Sequence, residues 1–192
     1  MNVEQAIRSR RTHKVYAGGA IDKATLEVLI EGAIWAPNHR YTEPWGFHVV
    51  HGQRALDKMN GHVQQVLDAM AKDAGQEAAA NLAAKKSKMD KRLQACAAVI
   101  AVTWKRSPDD ATVDREDYAA TCCAIQNLLL AAHERGFVSL WSTSKLLSHP
   151  QLRTFYQLNN EHDVAGVIFL GTPVGERKGR RVHSGVDVTR WV

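Results

Sequence analysis

Residues 115–136, REDYAATCCAIQNLLLAAHERG, predict a long helix at the centre of the fold. Apolar and small residues cover most of its circumference, which is the pattern of a helix buried on several sides. Asp114 is expected to open the helix, and Gly136 to close it with the left-handed conformation that glycine adopts readily. The vicinal pair Cys122 and Cys123 is expected to pack inside the helix. Such a helix needs other elements around it.

Short apolar runs elsewhere in the chain predict the strands of a small sheet. They are WGFHVVHG (45–52), AAVIAVTW (97–104), FVSLWST (137–143) and VAGVIFLGTP (164–173). Helical patterns lie at 2–10, at 23–36 after a cap at Asp22, at 53–94 with Gly75 as a divider, and at 149–158. This order predicts an α+β or α/β sandwich in which helices cover a small sheet. Residues 1–192 are expected to form one domain.

Composition narrows the class of protein. The chain has 192 residues, 45% apolar and 23% charged, as ordinary globular proteins do. No apolar run is long enough for a membrane span, and cations stand where a signal peptide needs apolar residues, so a cytoplasmic protein is expected. Three cysteines without a CxxC pair indicate neither a disulfide framework nor a zinc site.

The stretch RSRRTHKVYAGG, residues 8–19, concentrates positive charge near the N-terminus. Arg8, Arg10, Arg11 and Lys14 repel one another, which water tolerates and a bound anion would favour. The net charge of +5 also leaves a nucleic-acid binder open, although no reading motif is present. The usual phosphate-loop, dinucleotide, metalloprotease and serine-hydrolase motifs are absent, and no metal site is expected.

Two further segments place tryptophan beside hydrogen-bonding side chains. They are WAPNHRYTEPWGF (35–47) and FVSLWSTSKL (137–146). Aromatic walls with neighbouring amides and hydroxyls suit a planar ligand with polar edges. The alternative is that Trp45 and Trp141 are core residues at strand ends.

Together, RSRRTHKVY, AIWAPNHRYTEPWGFHVV, the long Ala-rich helix, LWST and VIFLGTP resemble the FMN-dependent nitroreductase family, in order and spacing and over nearly the whole chain. The short NAD(P)H nitroreductases are the most similar in form. The resemblance implies a homodimer of α+β subunits, each a three-layer sandwich with a small mixed sheet covered by helices. It also implies FMN in two interface sites, NADH or NADPH as co-substrate, and a small-molecule electron acceptor, with neither nucleic acid nor membrane as a partner.

The family motifs also imply roles for individual residues. Arg10, Arg11 and Thr12 match the element that binds the FMN phosphate, and charge-assisted contacts to phosphate are strong. Lys14 matches a lysine near the pyrimidine edge of the flavin, where a cation stabilises the negative charge of the reduced ring. Arg180 and Arg181 are expected to add a last phosphate cation, with Arg177, Lys178 or a merely solvated basic tail as alternatives.

Two other groups are expected near the flavin ring. Trp35, Asn38 and His39 match the element that reaches the FMN of the partner subunit, although His39 could instead cap a helix end. Trp141, Ser142 and Thr143 match the stretch beside the isoalloxazine ring or ribityl chain. No side chain is expected to act as acid or base, since a ping-pong hydride transfer leaves the chemistry to the cofactor. The alternative function is a flavin-binding module or sensor without NAD(P)H turnover.

Overall fold

The computed structural model describes residues 1–72 and 74–192, and its regular elements alternate between helices and short strands. The helices are α1 (Val3–Ser9), α2 (Lys23–Ile34), α3 (Gln53–Lys72), α4 (Gln76–Ala95), α5 (Ala111–Glu134) and α6 (Pro150–Phe155). The strands are β1 (Trp45–His51), β2 (Ala98–Lys105), β3 (Val138–Ser142) and β4 (His162–Gly171). Single 3-10 turns lie at His39–Tyr41, Lys145–Ser148 and Val186–Val188.

The four strands form one sheet in the order β1-β2-β4-β3. Every neighbouring pair of these strands is antiparallel, and the register between β2 and β4 shifts between Val102 and Thr103. The named strands are thus all antiparallel, not mixed as the resemblance implied, because the N-terminal segment meets β3 only at an isolated parallel bridge between Thr12 and Ser139. This bridge brings the basic N-terminal stretch onto the sheet.

Alternation along the strands divides the core into two layers, because successive side chains of a strand point to opposite faces. On β2, Val99 and Ala101 join the cluster with α3, α4 and α6. Ala98, Ile100 and Val102 join the other cluster, with α2 and α5. The sheet therefore lies between two helical layers, which confirms the predicted α+β three-layer sandwich.

Helix α5 is the buried helix that the sequence predicted, but it begins earlier. Asp110 caps it by accepting hydrogen bonds from the backbone N–H groups of Thr112 and Val113. Asp114, the predicted opening residue, instead accepts from Arg106 at 2.8 Å and from the Trp104 indole at 3.2 Å. The prediction was wrong because both aspartates can cap a helix, and a tertiary ion pair engages the second.

The vicinal cysteines depart from expectation. Cys122 is half-buried and Cys123 is exposed, so only one of the two packs inward. In the C-terminal tail, every residue from 173 to 192 is exposed within this chain, and 92% of the surface of Trp191 is accessible. Among the described residues, no helix has the length and apolarity needed to cross a membrane, and no group of His, Cys, Asp or Glu is placed to hold a metal.

Candidate functional site

The end of α1 positions the first residues of the site. Asn2 caps α1, and the helix stops after Ser9 because Arg10 adopts an extended ψ of 131°. The chain then runs onto the β3 edge, where Thr12 bridges Ser139 and the His13 N–H donates to the Ser139 carbonyl at 2.9 Å. Backbone hydrogen bonds on both sides thus fix residues 10–13.

Positive charges crowd around this segment. Burial, followed by the charges of Arg11 and Arg181, lowers the pKa of the Arg10 guanidinium. Within the described part of the chain, no protein acceptor meets the Arg10 side chain. Arg11 donates through Nη1 to the carbonyls of Arg8 and Arg10 at 2.6 and 2.7 Å, while its buried Nε has no partner among residues 1–72 and 74–192.

The C-terminal tail adds cations to the same cluster. Arg177 donates to the Thr12 carbonyl at 3.1 Å, and Gly179 lies so close to the Arg11 guanidinium that any Cβ there would overlap it. Arg181 shares with Arg11 a recess of about 290 Å³. Arg180 lies outside that recess. Of the two tail arginines predicted, Arg181 therefore joins the cluster, and the alternative Arg177 joins it as well.

A cavity of about 580 Å³ opens beside the cluster. Arg11 and Arg177 line it together with two histidines, His13 and His133, that sequence reasoning missed. His13 lies within the basic stretch 8–19 but was given no role there, and His133 lies in no recognisable motif. Only the fold brings the C-terminal end of α5 to the end of α1. In the sequence, His133 could have been noticed only as a basic residue in the last turn of the predicted helix.

These observations fit an anionic phosphate-bearing group. A buried Nε without a partner costs about 1–3 kcal/mol, which an anion would recover. Half-buried arginines that face one another are likewise unfavourable until a counter-charge arrives. The missing Cβ at Gly179 leaves room for the Arg11 guanidinium against the tail. The cluster consequently has the chemistry of a phosphate site.

Lys14 lies past the cluster, with its side chain exposed. Its carbonyl accepts a hydrogen bond from Arg92 Nε at 3.4 Å, and the Arg92 guanidinium lies 5.3 Å from the centre of the Phe169 ring. Arg92 of helix α4 thereby holds the Lys14 backbone, and the Lys14 side chain stays exposed.

Trp141, Ser142 and Thr143 follow the same β3 edge that carries the Thr12 bridge. Trp141 is half-buried, packs against the α2/α5 layer and donates through its indole N–H to the Ala165 carbonyl at 3.3 Å. Its ring fills the space where a Cβ at residue 166 would stand. Trp45 also packs partly buried against this layer, so both tryptophans contribute to the core.

Trp35, Asn38 and His39 lie at the other end of the molecule. His39 pairs with Glu116 on α5 at 2.7 Å, beyond the end of α2, rather than capping that helix. Asn38 accepts the backbone N–H of Glu43 through its side chain, and Trp35 is 80% exposed.

The segment that carries these residues is conformationally strained and held by α5. Arg40, Tyr41 and Glu43 all have positive φ, a region that L-residues rarely adopt. The hydroxyl of Thr42 donates at 2.7 Å to Asp117, a buried carboxylate of α5. Contacts to α5 thus stabilise a loop conformation that its own residues disfavour.

Within one chain, the two groups of predicted site residues, the arginine cluster and the group around His39, lie far apart. His39 contacts α5 at Glu116, whereas the arginine cluster meets α5 at His133. Seventeen residues of helix at 1.5 Å per residue separate these points by about 25 Å. The structure therefore brings Arg10, Arg11, Thr12 and Arg181 together beside β3, but does not bring Asn38 or His39 to them.

Comparisons with known proteins agree with this architecture. The Nitroreductase-like family protein from Bacillus cereus superposes with a TM-score of 0.84 at 24% identity, covering 100% of this chain and 96% of that one. A nitroreductase with bound FMN from Bacteroides fragilis superposes at 0.73 with 20% identity, covering 100% and 99%. At such identities the likeness concerns the fold. In sequence, the "Putative NAD(P)H nitroreductase YfhC" of Bacillus subtilis is 28% identical over 167 residues, 87% of this chain and 82% of the relative.

Fold and site together define a nitroreductase-like α+β sandwich with a cluster of cations beside β3. The model of the Nitroreductase family matches residues 7–172, and the chain belongs to that family. It is an oxidoreductase.

Proposed function

We propose that this protein is a homodimeric, FMN-dependent oxidoreductase that passes reducing equivalents from NAD(P)H to an electron-poor acceptor of the nitroaromatic or quinone type. One observation carries the proposal: Arg10, Arg11, Arg177 and Arg181 converge beside β3 around the buried Nε of Arg11, for which the described part of the chain offers no partner. We infer the cofactor from related nitroreductases, which include proteins described as FMN-bound and as NADPH-dependent.

The phosphate end of FMN is assigned to this cluster. Arg10 and Arg11 supply charge, and the Thr12 hydroxyl is the neutral donor beside them. Arg181 contributes a further positive charge from the C-terminal tail. Arg180 is exposed beside it and adds positive charge at a greater distance from the phosphate. Arginine suits this task because its planar fork can donate two parallel hydrogen bonds to one phosphate.

The ring end of FMN is assigned to Lys14 and to Trp141, Ser142 and Thr143, which continue from the cluster along the β3 edge. Bound FMN supplies the redox chemistry, namely hydride uptake from NAD(P)H followed by electron release to the acceptor. The Lys14 ammonium stabilises negative charge at the pyrimidine edge. Reductant and acceptor use one binding face in turn, which gives ping-pong kinetics without a side-chain acid or base.

A second copy of the chain completes the site. His39 contacts α5 about 25 Å along that helix from the point where the arginine cluster meets it, which favours a role for Trp35, Asn38 and His39 at the flavin of a partner subunit. Trp35 is 80% exposed and Trp191 is 92% exposed, and large apolar surfaces left in solvent mark interaction sites. The proposed dimer covers both.

The test begins with the visible spectrum of the purified protein, followed by NADH or NADPH without oxygen. Flavin bands that bleach are the expected result, and initial rates with a quinone acceptor should give parallel double-reciprocal lines. Bands that persist would instead support a flavin-binding module without turnover. A protein that shows no flavin bands after incubation with FMN and removal of the unbound flavin would refute the proposal.

A further inference from the structure

His133 occupies a distinctive place at the edge of the arginine cluster. It lies in the last turn of α5, and its Nε2 is 2.7 Å from the hydroxyl of Ser9 on α1. His133 lines the 580 Å³ cavity together with residues of the tail. The imidazole therefore stands where α1, α5 and the tail meet, on the wall of a cavity that already holds Arg11 and Arg177.

The charges that face His133 are mostly positive. Arg10 and Arg11 approach it from the segment after α1, and His13 from the β3 edge. Arg177 and Glu176 of the tail line the same cavity, as does Glu134 from its own helix. Burial, followed by the charges of Arg10 and Arg11, lowers the pKa of His133. In the free protein, burial and the neighbouring arginines accordingly disfavour the charged form of the ring.

A bound phosphate reverses this balance. Its negative charge offsets the two arginines and offers the imidazole a partner, so the protonated ring becomes more favourable in the complex than in the free protein. By linkage, a group that gains proton affinity on binding makes binding tighter as pH falls.

We propose that His133 is a further phosphate-binding residue of this site, and that it makes the affinity for FMN increase as pH decreases from about 8 to about 6. This inference rests on the proposed function, because it needs FMN as the ligand. The proposal adds a phosphate contact from helix α5 to those from the N-terminal stretch and the tail. The site thus takes its phosphate contacts from three parts of the chain.

The test compares FMN and riboflavin, which lacks the phosphate, in the full-length protein. Dissociation constants are measured by quenching of flavin fluorescence across this pH range for the wild type and for His133→Gln, which keeps a nitrogen near Ser9 without the titrating ring. His62→Gln is the matched control, since His62 on α3 contacts Phe155 and Gln151 away from the cluster. The second ionisation of the FMN phosphate affects all variants equally and cancels in the comparison.

At about pH 6 the wild type should bind FMN about three- to fivefold more tightly than His133→Gln, as expected for one partly exposed charge pair. The ratio should approach one near pH 8, and riboflavin should show no difference at either pH. In the wild type, NMR titration of the His133 ring should show its pKa rising when FMN binds.

Two results would overturn the inference while leaving the function intact. One is an FMN affinity with the same pH dependence in both proteins. The other is a loss in His133→Gln that is equal at every pH and equal for riboflavin, since that pattern indicates structural support alone. Failure of FMN to bind the wild type at any pH would instead refute the proposed function, and this inference with it.

Discussion

Replacing Arg10 by Gln should weaken FMN binding without weakening the fold. The guanidinium is half-buried, has no protein acceptor among the described residues, and lies close to the charges of Arg11 and Arg181. A hydrogen bond to a charged group contributes about 1.5–3 kcal/mol, so losing it should raise the Kd for FMN about tenfold to a hundredfold. Removing one of three crowded cations should leave the stability of the free protein equal or slightly higher.

The assay is a fluorescence titration with FMN and with riboflavin, accompanied by urea unfolding of the free protein. Riboflavin should lose little affinity, because only FMN carries the phosphate that Arg10 would contact. Arg54→Gln on the exposed surface of α3 controls for the change in net charge. Equal losses for the two flavins, or an unchanged Kd for FMN, would refute the assignment of Arg10 to the phosphate.

Three further outcomes are expected. Lys14→Ala should keep the fold and lower the midpoint potential of the bound flavin, measured by spectroelectrochemistry; an unchanged potential would remove Lys14 from the ring edge. The Arg106 contact lowers the pKa of Asp114 to about 2, so its stabilisation is complete above about pH 4 and is lost as pH falls toward 2; thermal unfolding of Asp114→Asn should lack this component. Leu128→Ala, in the fully buried face of α5, should cost about 2–5 kcal/mol in chemical denaturation, and a cost under 1 kcal/mol would contradict the packing.

Local chemistry in the sequence predicted several elements well. Asp22 accepts from the Thr25 N–H and caps α2, as its position before an apolar stripe indicated. Gly75 precedes α4 and divides residues 53–94 into two helices. Pro150 stands at the start of α6, where its missing N–H costs nothing. These features are decided within a few residues, which is why a single sequence reveals them.

Other features depend on distant partners. Asp114 is a good helix cap in isolation, but Arg106 and Trp104 engage it across a loop. The position of His133 at the cluster depends on its contact with Ser9, which is 124 residues away in the chain. The cation cluster was predicted around residues 10–12, whereas the choice of Arg177 and Arg181 from the tail required the tertiary structure.

The length of α5 has a genetic consequence. Because that helix separates the arginine cluster from His39, the proposed dimer holds two sites, each built from a different half of each chain. A dimer of one Arg10→Gln chain and one His39→Ala chain would carry both lesions in one site and none in the other. At an FMN concentration too low to fill the sites of either variant, co-expressing the two should therefore give flavin-dependent activity above that of each variant alone, an intersubunit complementation that a site contained in one chain could not show.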